Sequence, residues 1–216
     1  MSKAKHIMIL GDSYSTFRGY IPEGFSVYYS EEDTDKTDVR HVEETWWHRL
    51  LTACDLHLVR NDSWSGSTIG YTGYGGSDCS HSSSFIYRIE KLFEEGFFEQ
   101  EPIDTLIVFG GTNDSWSDAP LGEAVTEAEK GDTLYSVRPA IAYLMHRLKE
   151  ILPNVNILFL INTEIKPEID DAIETVGAHV GLHVLRLSDI DKRNGHPTVL
   201  GMSQIASQVK AYIETL

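Results

Sequence analysis

The sequence predicts an α/β protein built on a five-stranded parallel sheet, with residues 1–216 forming one domain. Three observations carry this expectation. Five short apolar runs alternate with segments of helical period along the chain, the order that right-handed crossovers turn into a parallel sheet. The runs at 7–10 and 104–109 are almost continuously apolar, as strands buried on both faces are. Small polar clusters follow three of the runs, at Gly11-Asp12-Ser13, Asn61-Asp62-Ser63 and Gly110-Gly111-Thr112-Asn113. In open α/β sheets the C-terminal strand edge is where chemistry is placed.

The first strand, Ile7-Met8-Ile9-Leu10, stops abruptly at Gly11-Asp12-Ser13 and delivers a serine to that edge. Taken alone, Gly-Asp-Ser is equally the signature of a turn or a helix cap. Residues 17–44 lack helical period and hold Gly19, Pro22, Gly24 and the acidic tract Glu31-Glu32-Asp33-Thr34-Asp35. The tract has no recognisable ligand spacing and is read as a solvated loop. Long irregular connections are often functional, and Tyr20, Tyr28, Tyr29 and Phe25 are expected to line a wall of the site. A helix starts at Glu44 or Thr45, with Trp46, Leu50, Leu51 and Cys54 at helical spacing. A second strand follows at 56–59, ending at Asn61.

The Gly/Ser-rich stretch 70–84 is expected to be a mobile loop beside the site; it lacks the Gly-x-x-x-x-Gly-Lys-Ser/Thr pattern of a phosphate cradle. Phe85, Ile86, Ile89, Leu92 and Phe93 mark an amphipathic helix ending near Gly96, before the third strand at 104–109. Residues 118–133 form a second polar rim segment. Pro139 is tolerated only in a first turn, so the next helix should begin near Ser136 and run to Leu152. A strand at 155–161, a helix at 167–180 with Ile169, Ile173 and Val176 on one face, and a strand at 183–187 complete the alternation. Thr198 can cap a last helix whose Val199, Met202, Ile205, Ala206 and Val209 recur at helical spacing.

The formal charge of −15, from 33 acidic and 18 basic side chains, repels nucleic acid and anionic membrane surfaces and favours neutral substrates. No apolar run approaches the ~20 residues that span a bilayer. Met1-Ser2-Lys3-Ala4-Lys5 leads directly into the first strand without the features of a secretory signal, so a cytoplasmic protein is expected. Cys54 and Cys79 are too few for a disulfide scaffold. The nine histidines are scattered, without a Cys-x-x-Cys pair beside them, and no metal is expected.

In chain order, Gly11-Asp12-Ser13, Asn61-x-x-x-x-Gly66, Gly111-Thr112-Asn113-Asp114 and His196-Pro197 resemble the four sequence blocks of the SGNH (GDSL-type) hydrolases. The resemblance runs from Ile7 to about Met202. It implies a three-layer α/β/α sandwich of flavodoxin-like type. It also implies that Ser13 is the nucleophile, His196 its general base, and the Ser13 and Gly66 N–H groups with the Asn113 amide the oxyanion hole. These residue types suit those tasks. Imidazole titrates close enough to neutrality to take the serine proton and return it to a leaving group, and an amide or a glycine N–H can approach a developing oxyanion as a neutral donor.

The chain departs from the family at one position. An aspartate usually stands three residues before the histidine, and here that residue is Arg193, which cannot accept an imidazole N–H. Asp191, five residues before His196, is a candidate third member, with Asp189 next; otherwise a backbone carbonyl or water orients the ring and a Ser-His dyad operates.

The expected activity is hydrolysis of short acyl esters, O-acetyl groups on carbohydrates above all, with a small-molecule or carbohydrate ester as partner and no cofactor. Asp12, Tyr14, Tyr20, Trp64 and Trp116 are the expected substrate contacts. Two alternatives share the fold: a lipase or thioesterase, and a non-catalytic binding protein, for which Arg193 is the main argument.

Overall fold

The computed structural model describes residues 6–32 and 35–216. Met1 to Lys5, and Asp33 and Thr34 of the acidic tract, lie outside the described residues.

Five parallel strands form the sheet: β1 (His6–Gly11), β2 (His57–Ser63), β3 (Thr105–Phe109), β4 (Asn156–Ile161) and β5 (His183–Arg186), in the order β2-β1-β3-β4-β5. The central strands β1, β3 and β4 are buried almost throughout, whereas the edge strands β2 and β5 are partly open. Continuous apolar runs therefore mark the middle of the sheet and mixed sequences its margins. Side chains alternate between two cores, as strand geometry requires. Met8, Leu10, Leu106, Val108, Ile157 and Phe159 face one layer of helices, and Ile7, Ile9, Ile107, Phe109, Leu158 and Leu160 face the other.

The first layer holds α2 (Phe85–Glu94), the short α3 (Phe97–Gln100), α5 (Val137–Ile151) and α6 (Pro167–Val180); the second pairs α1 (Trp46–Cys54) with α7 (Val199–Ile213). Helix ends follow local chemistry. The Thr45 and Thr198 hydroxyls accept from the His48 and Gly201 N–H groups to start α1 and α7. Pro167 opens α6, and Gly181 closes it in the left-handed region. Helix α5 starts at Val137, which puts Pro139 in the first turn.

Besides the short α3, two elements were not anticipated. One is α4 (Thr112–Trp116), five residues of weak helix formers immediately after β3. The other is an antiparallel hairpin of β6 (Lys192–Arg193) and β7 (His196–Pro197). Because β1 has its sequence neighbour β2 on one side and β3 on the other, the connections from β1 and from β2 leave in opposite directions. In open α/β sheets ligands bind at such a switch point, beyond the C-terminal strand ends.

Candidate active site

Strand β1 ends at Gly11, whose backbone passes so close to its neighbours that a Cβ there would lie 2.5 Å from Ser63 Oγ and 2.8 Å from Ser15 Oγ. Only glycine fits that approach. The chain then turns through a single 3-10 turn, Ser13–Ser15, capped by Asp12 Oδ1, which accepts from the Tyr14 N–H at 3.0 Å. Ser13 is buried, and its Oγ lies 2.9 Å from His196 Nε2. The serine and histidine blocks, 183 residues apart, thus meet at hydrogen-bond distance.

The β6–β7 hairpin presents the histidine. Its two-residue turn is Asn194-Gly195, with φ of +51° and +77°, the Asn-Gly pair that tight hairpins favour. The Asn194 carbonyl lies 3.2 Å from His196 Nδ1. A carbonyl only accepts, so Nδ1 carries the hydrogen and Nε2 turns its lone pair to the serine hydroxyl. Burial, and then the nearby Lys192 cation, favour the neutral ring, while the Asn194 hydrogen bond opposes them; the net displacement of the pKa is below the usual 6.5. Tyr28 stacks face to face on the imidazole, with centroids 3.6 Å apart and planes at 5°, and Trp116 meets it edge-on at 5.7 Å.

Asp191 does not reach this ring. Its carboxylate accepts from the Thr198 hydroxyl at the start of α7, and its backbone is tied to Gln204 and Thr198. Both the hairpin register, which pairs Arg193 with His196, and the α7 cap hold Asp191 away. Arg193 and Asp189 are exposed.

Asn113 sits in the first turn of α4, buried, its Nδ2 donating to Ser67 O at 2.9 Å and its Oδ1 accepting from the Tyr74 hydroxyl at 2.8 Å. Those two partners fix the amide orientation and leave the second Nδ2 hydrogen for another acceptor. Gly66, one residue before Ser67, has φ of +83°, a conformation that side chains resist. Among the described residues neither the Ser13 nor the Gly66 N–H donates to a backbone acceptor. Asp114 secures this loop: its carboxylate accepts from the Ile69 N–H at 2.9 Å, and burial raises its pKa to about 6.

Beneath the site lies an arginine that helix periodicity had hidden on an apolar face. Arg88 of α2, wholly buried, donates to Asp62 Oδ1 at 2.8 Å, Gly11 O at 3.1 Å, Ser67 Oγ at 3.2 Å and Ser83 O at 2.9 Å, and also to Asp62 O. One guanidinium therefore joins the end of β1, the end of β2 and the loop beyond Gly66. Asp12, next to the serine, is fully buried with one oxygen unpartnered, and burial raises its pKa to about 7.

The expected substrate contacts divide. Trp116 is exposed beside His196, and half-buried Trp64 packs on Phe25 with centroids 4.3 Å apart. Asp12 and Tyr14 have no exposed surface and cannot touch a ligand from solvent. Instead, Tyr14 donates its hydroxyl to Gly195 O, and Tyr29 donates to Pro197 O at 3.0 Å, so both brace the hairpin from below. Tyr20 is exposed, but its ring lies on Phe17 and Trp47. The 70–84 stretch, expected to be mobile, is tied down by a Thr72–Asp78 bridge and by the Tyr74 contact to Asn113. A cavity of about 310 Å³ lies elsewhere, between Val125 and α5 and α6, and contains none of these groups.

The GDSL-like lipase/acylhydrolase family model matches residues 5–213. A GDSL-like lipase from Bacteroides ovatus is 40% identical and superposes with a TM-score of 0.90, covering 99% of both chains. One from Bacteroides uniformis is also 40% identical at TM-score 0.90, covering 99% of this chain and 97% of its own. An acetyl xylan esterase from Butyrivibrio proteoclasticus shares the fold at 16% identity and TM-score 0.61, covering 100% of this chain and 65% of its own. No curated protein sequence matches. Among the described residues no helix is long and apolar enough to cross a membrane. The four sequence blocks, the 2-1-3-4-5 sheet and the near full-length match agree: the chain belongs to the GDSL-like lipase/acylhydrolase family of hydrolases.

Proposed function

We propose that this chain is a serine esterase that removes short acyl groups, O-acetyl above all, from carbohydrates through an acyl-enzyme. The observation that carries the reading is the 2.9 Å contact between Ser13 Oγ and His196 Nε2. Ser13 Oγ attacks the ester carbonyl as its proton passes to Nε2, and the Nδ1 hydrogen of the resulting imidazolium stays on the Asn194 carbonyl. The Ser13 and Gly66 N–H groups and Asn113 Nδ2 receive the oxyanion. Nε2–H then protonates the departing alcohol, and water repeats the cycle on the acyl-Ser13 ester. A neutral carbonyl in place of a carboxylate stabilises the imidazolium less, so the site works as a Ser-His dyad with a dipolar orienting group.

The preference for a sugar-borne ester is supported by the aromatic surfaces around the histidine, Tyr28, Trp116 and the Phe25–Trp64 pair, since aromatic faces offer apolar area to a sugar ring. The net charge of −15 fits a neutral ester. The fold also serves an acetyl xylan esterase.

The test measures acetate release from acetylated xylo-oligosaccharides beside p-nitrophenyl acetate and p-nitrophenyl palmitate, with Ser13→Ala as control. Turnover of both acetates is expected, with at least about 10⁴-fold loss in the variant. Faster palmitate than acetate turnover would replace the short-acyl reading with a lipase, and equal rates for parent and variant would leave a binding protein.

A further inference from the structure

Among the described residues one group of three side chains outside the active site has metal-ligand chemistry. A ring nitrogen of His146, a ring nitrogen of His179 and a carboxylate oxygen of Glu127 all lie within 4.8 Å of one another. They come from three elements: His146 from the middle of α5, His179 from the last turn of α6, and Glu127 from the rim segment 117–130 that follows α4. We propose that they form a site for a divalent transition-metal ion, Zn²⁺ being the ion that fits, which ties this rim segment to α5 and α6.

The donor set is two imidazole nitrogens and one carboxylate oxygen. Zn²⁺ takes such sets, often with water in a fourth, tetrahedral position, whereas Ca²⁺ and Mg²⁺ favour all-oxygen shells. Ligand atoms at tetrahedral zinc lie about 3.3 Å apart, given bonds of about 2.0 to 2.1 Å. One pair, His179 Nε2 and Glu127 Oε1, is already at 3.0 Å, so closure asks only that the group contract through side-chain rotation. Glu127 and His179 are exposed enough to rotate, at 75% and 43% side-chain exposure.

The two imidazoles lie 5.8 Å apart at 53°, tilted rather than stacked, so aromatic overlap does not explain the pairing. The ring of His146 is already oriented: its Nε2 donates to the Thr126 carbonyl at 2.8 Å, which leaves a lone pair on the other nitrogen. A backbone carbonyl on one ring nitrogen is the usual outer support of a metal-bound histidine. A surface ion pair between His179 and Glu127 alone would contribute little and does not call for a second histidine.

The experiment is calorimetric titration of the EDTA-stripped, dialysed full chain with Zn²⁺ alone, followed by limited proteolysis with and without Zn²⁺. One Zn²⁺ per chain at micromolar affinity is expected, with no heat from Mg²⁺ or Ca²⁺. His146→Ala and His179→Ala should each weaken binding at least about tenfold, while His81→Ala, a histidine outside the group, should not. Zn²⁺ should slow cleavage within 117–130 in the parent and not in Glu127→Gln, an exposed change that leaves the packing intact. The site is overturned if the parent binds only at millimolar Zn²⁺, or if the His146 and His179 variants bind as the parent does. Unchanged cleavage in the zinc-loaded parent overturns the tie to the rim segment.

Discussion

The two halves of the Ser13–His196 pair are held in place by different physics. The serine follows the central, buried strand β1, above a guanidinium that reaches Gly11, Asp62 and Ser67 at once. The histidine stands on a six-residue hairpin at the surface, held by tyrosine hydroxyls from below and a tyrosine face from the side. Burying an ionic network is costly to break and leaves one arrangement of the strand ends. A short hairpin has few backbone bonds, so its position depends on individual side-chain contacts. The serine's place is therefore a property of the fold, and the histidine's place is a property of a few residues.

The largest expected effect breaks the first half. Arg88→Ala removes the common partner of three segments, although Asp62 keeps Arg60 at 2.7 Å. We expect a loss of about 3 kcal/mol in urea unfolding; a loss under about 1 kcal/mol would falsify the claim that this guanidinium holds the strand ends together.

Tyr14→Phe probes the second half. Deleting one hydroxyl strands the Gly195 carbonyl over a buried ring, and removal of a buried hydrogen bond costs about 1 to 3 kcal/mol. Steady-state kinetics should show kcat down about tenfold with KM little changed, because the imidazole's aim suffers rather than the substrate's contacts. A change confined to KM would mean that Tyr14 does not act through the hairpin.

Asp191→Ala sharpens the division further. With Asp191 on Thr198 and not on the imidazole, the variant should lose about 1 kcal/mol of stability at the start of α7 and retain kcat/KM within about twofold. A loss of turnover near that of the serine variant would place the carboxylate back in the mechanism.

The smallest effect is on pH dependence. Only neutral imidazole accepts the serine proton, so kcat/KM should rise with pH through the His196 value, which burial and Lys192 hold below 6.5. The acid limb of the profile should therefore lie below pH 6.5. Removing the cation with Lys192→Gln should move that limb upward by a fraction of a unit. Movement downward would show that Lys192 is not felt at the ring.

The order of the elements was legible because it rests on local physics. Continuous apolar runs, helical periodicity, Pro139, Pro167 and Thr198 set the alternation and most boundaries. The four blocks likewise pointed to Ser13, Gly66, Asn113 and His196. Legibility stopped where contact partners are distant in sequence. Arg88 carried no signal of its role in the helix pattern, because its partners come from two strands and two loops. Asp191 was the nearest carboxylate in sequence to His196, yet the Asn194-Gly195 turn offered a carbonyl instead. That dipeptide is itself a hairpin signal, and it was the clue that could have found the turn.

By itself, then, the sequence determined the sheet, its helices and which strand ends carry polar residues, because periodicity, caps and turns act over a few residues. Only the tertiary structure decided what orients His196, what supports Gly11, and that Glu127, His146 and His179 share one patch. Those are contacts between segments whose separation along the chain says nothing of their distance in space.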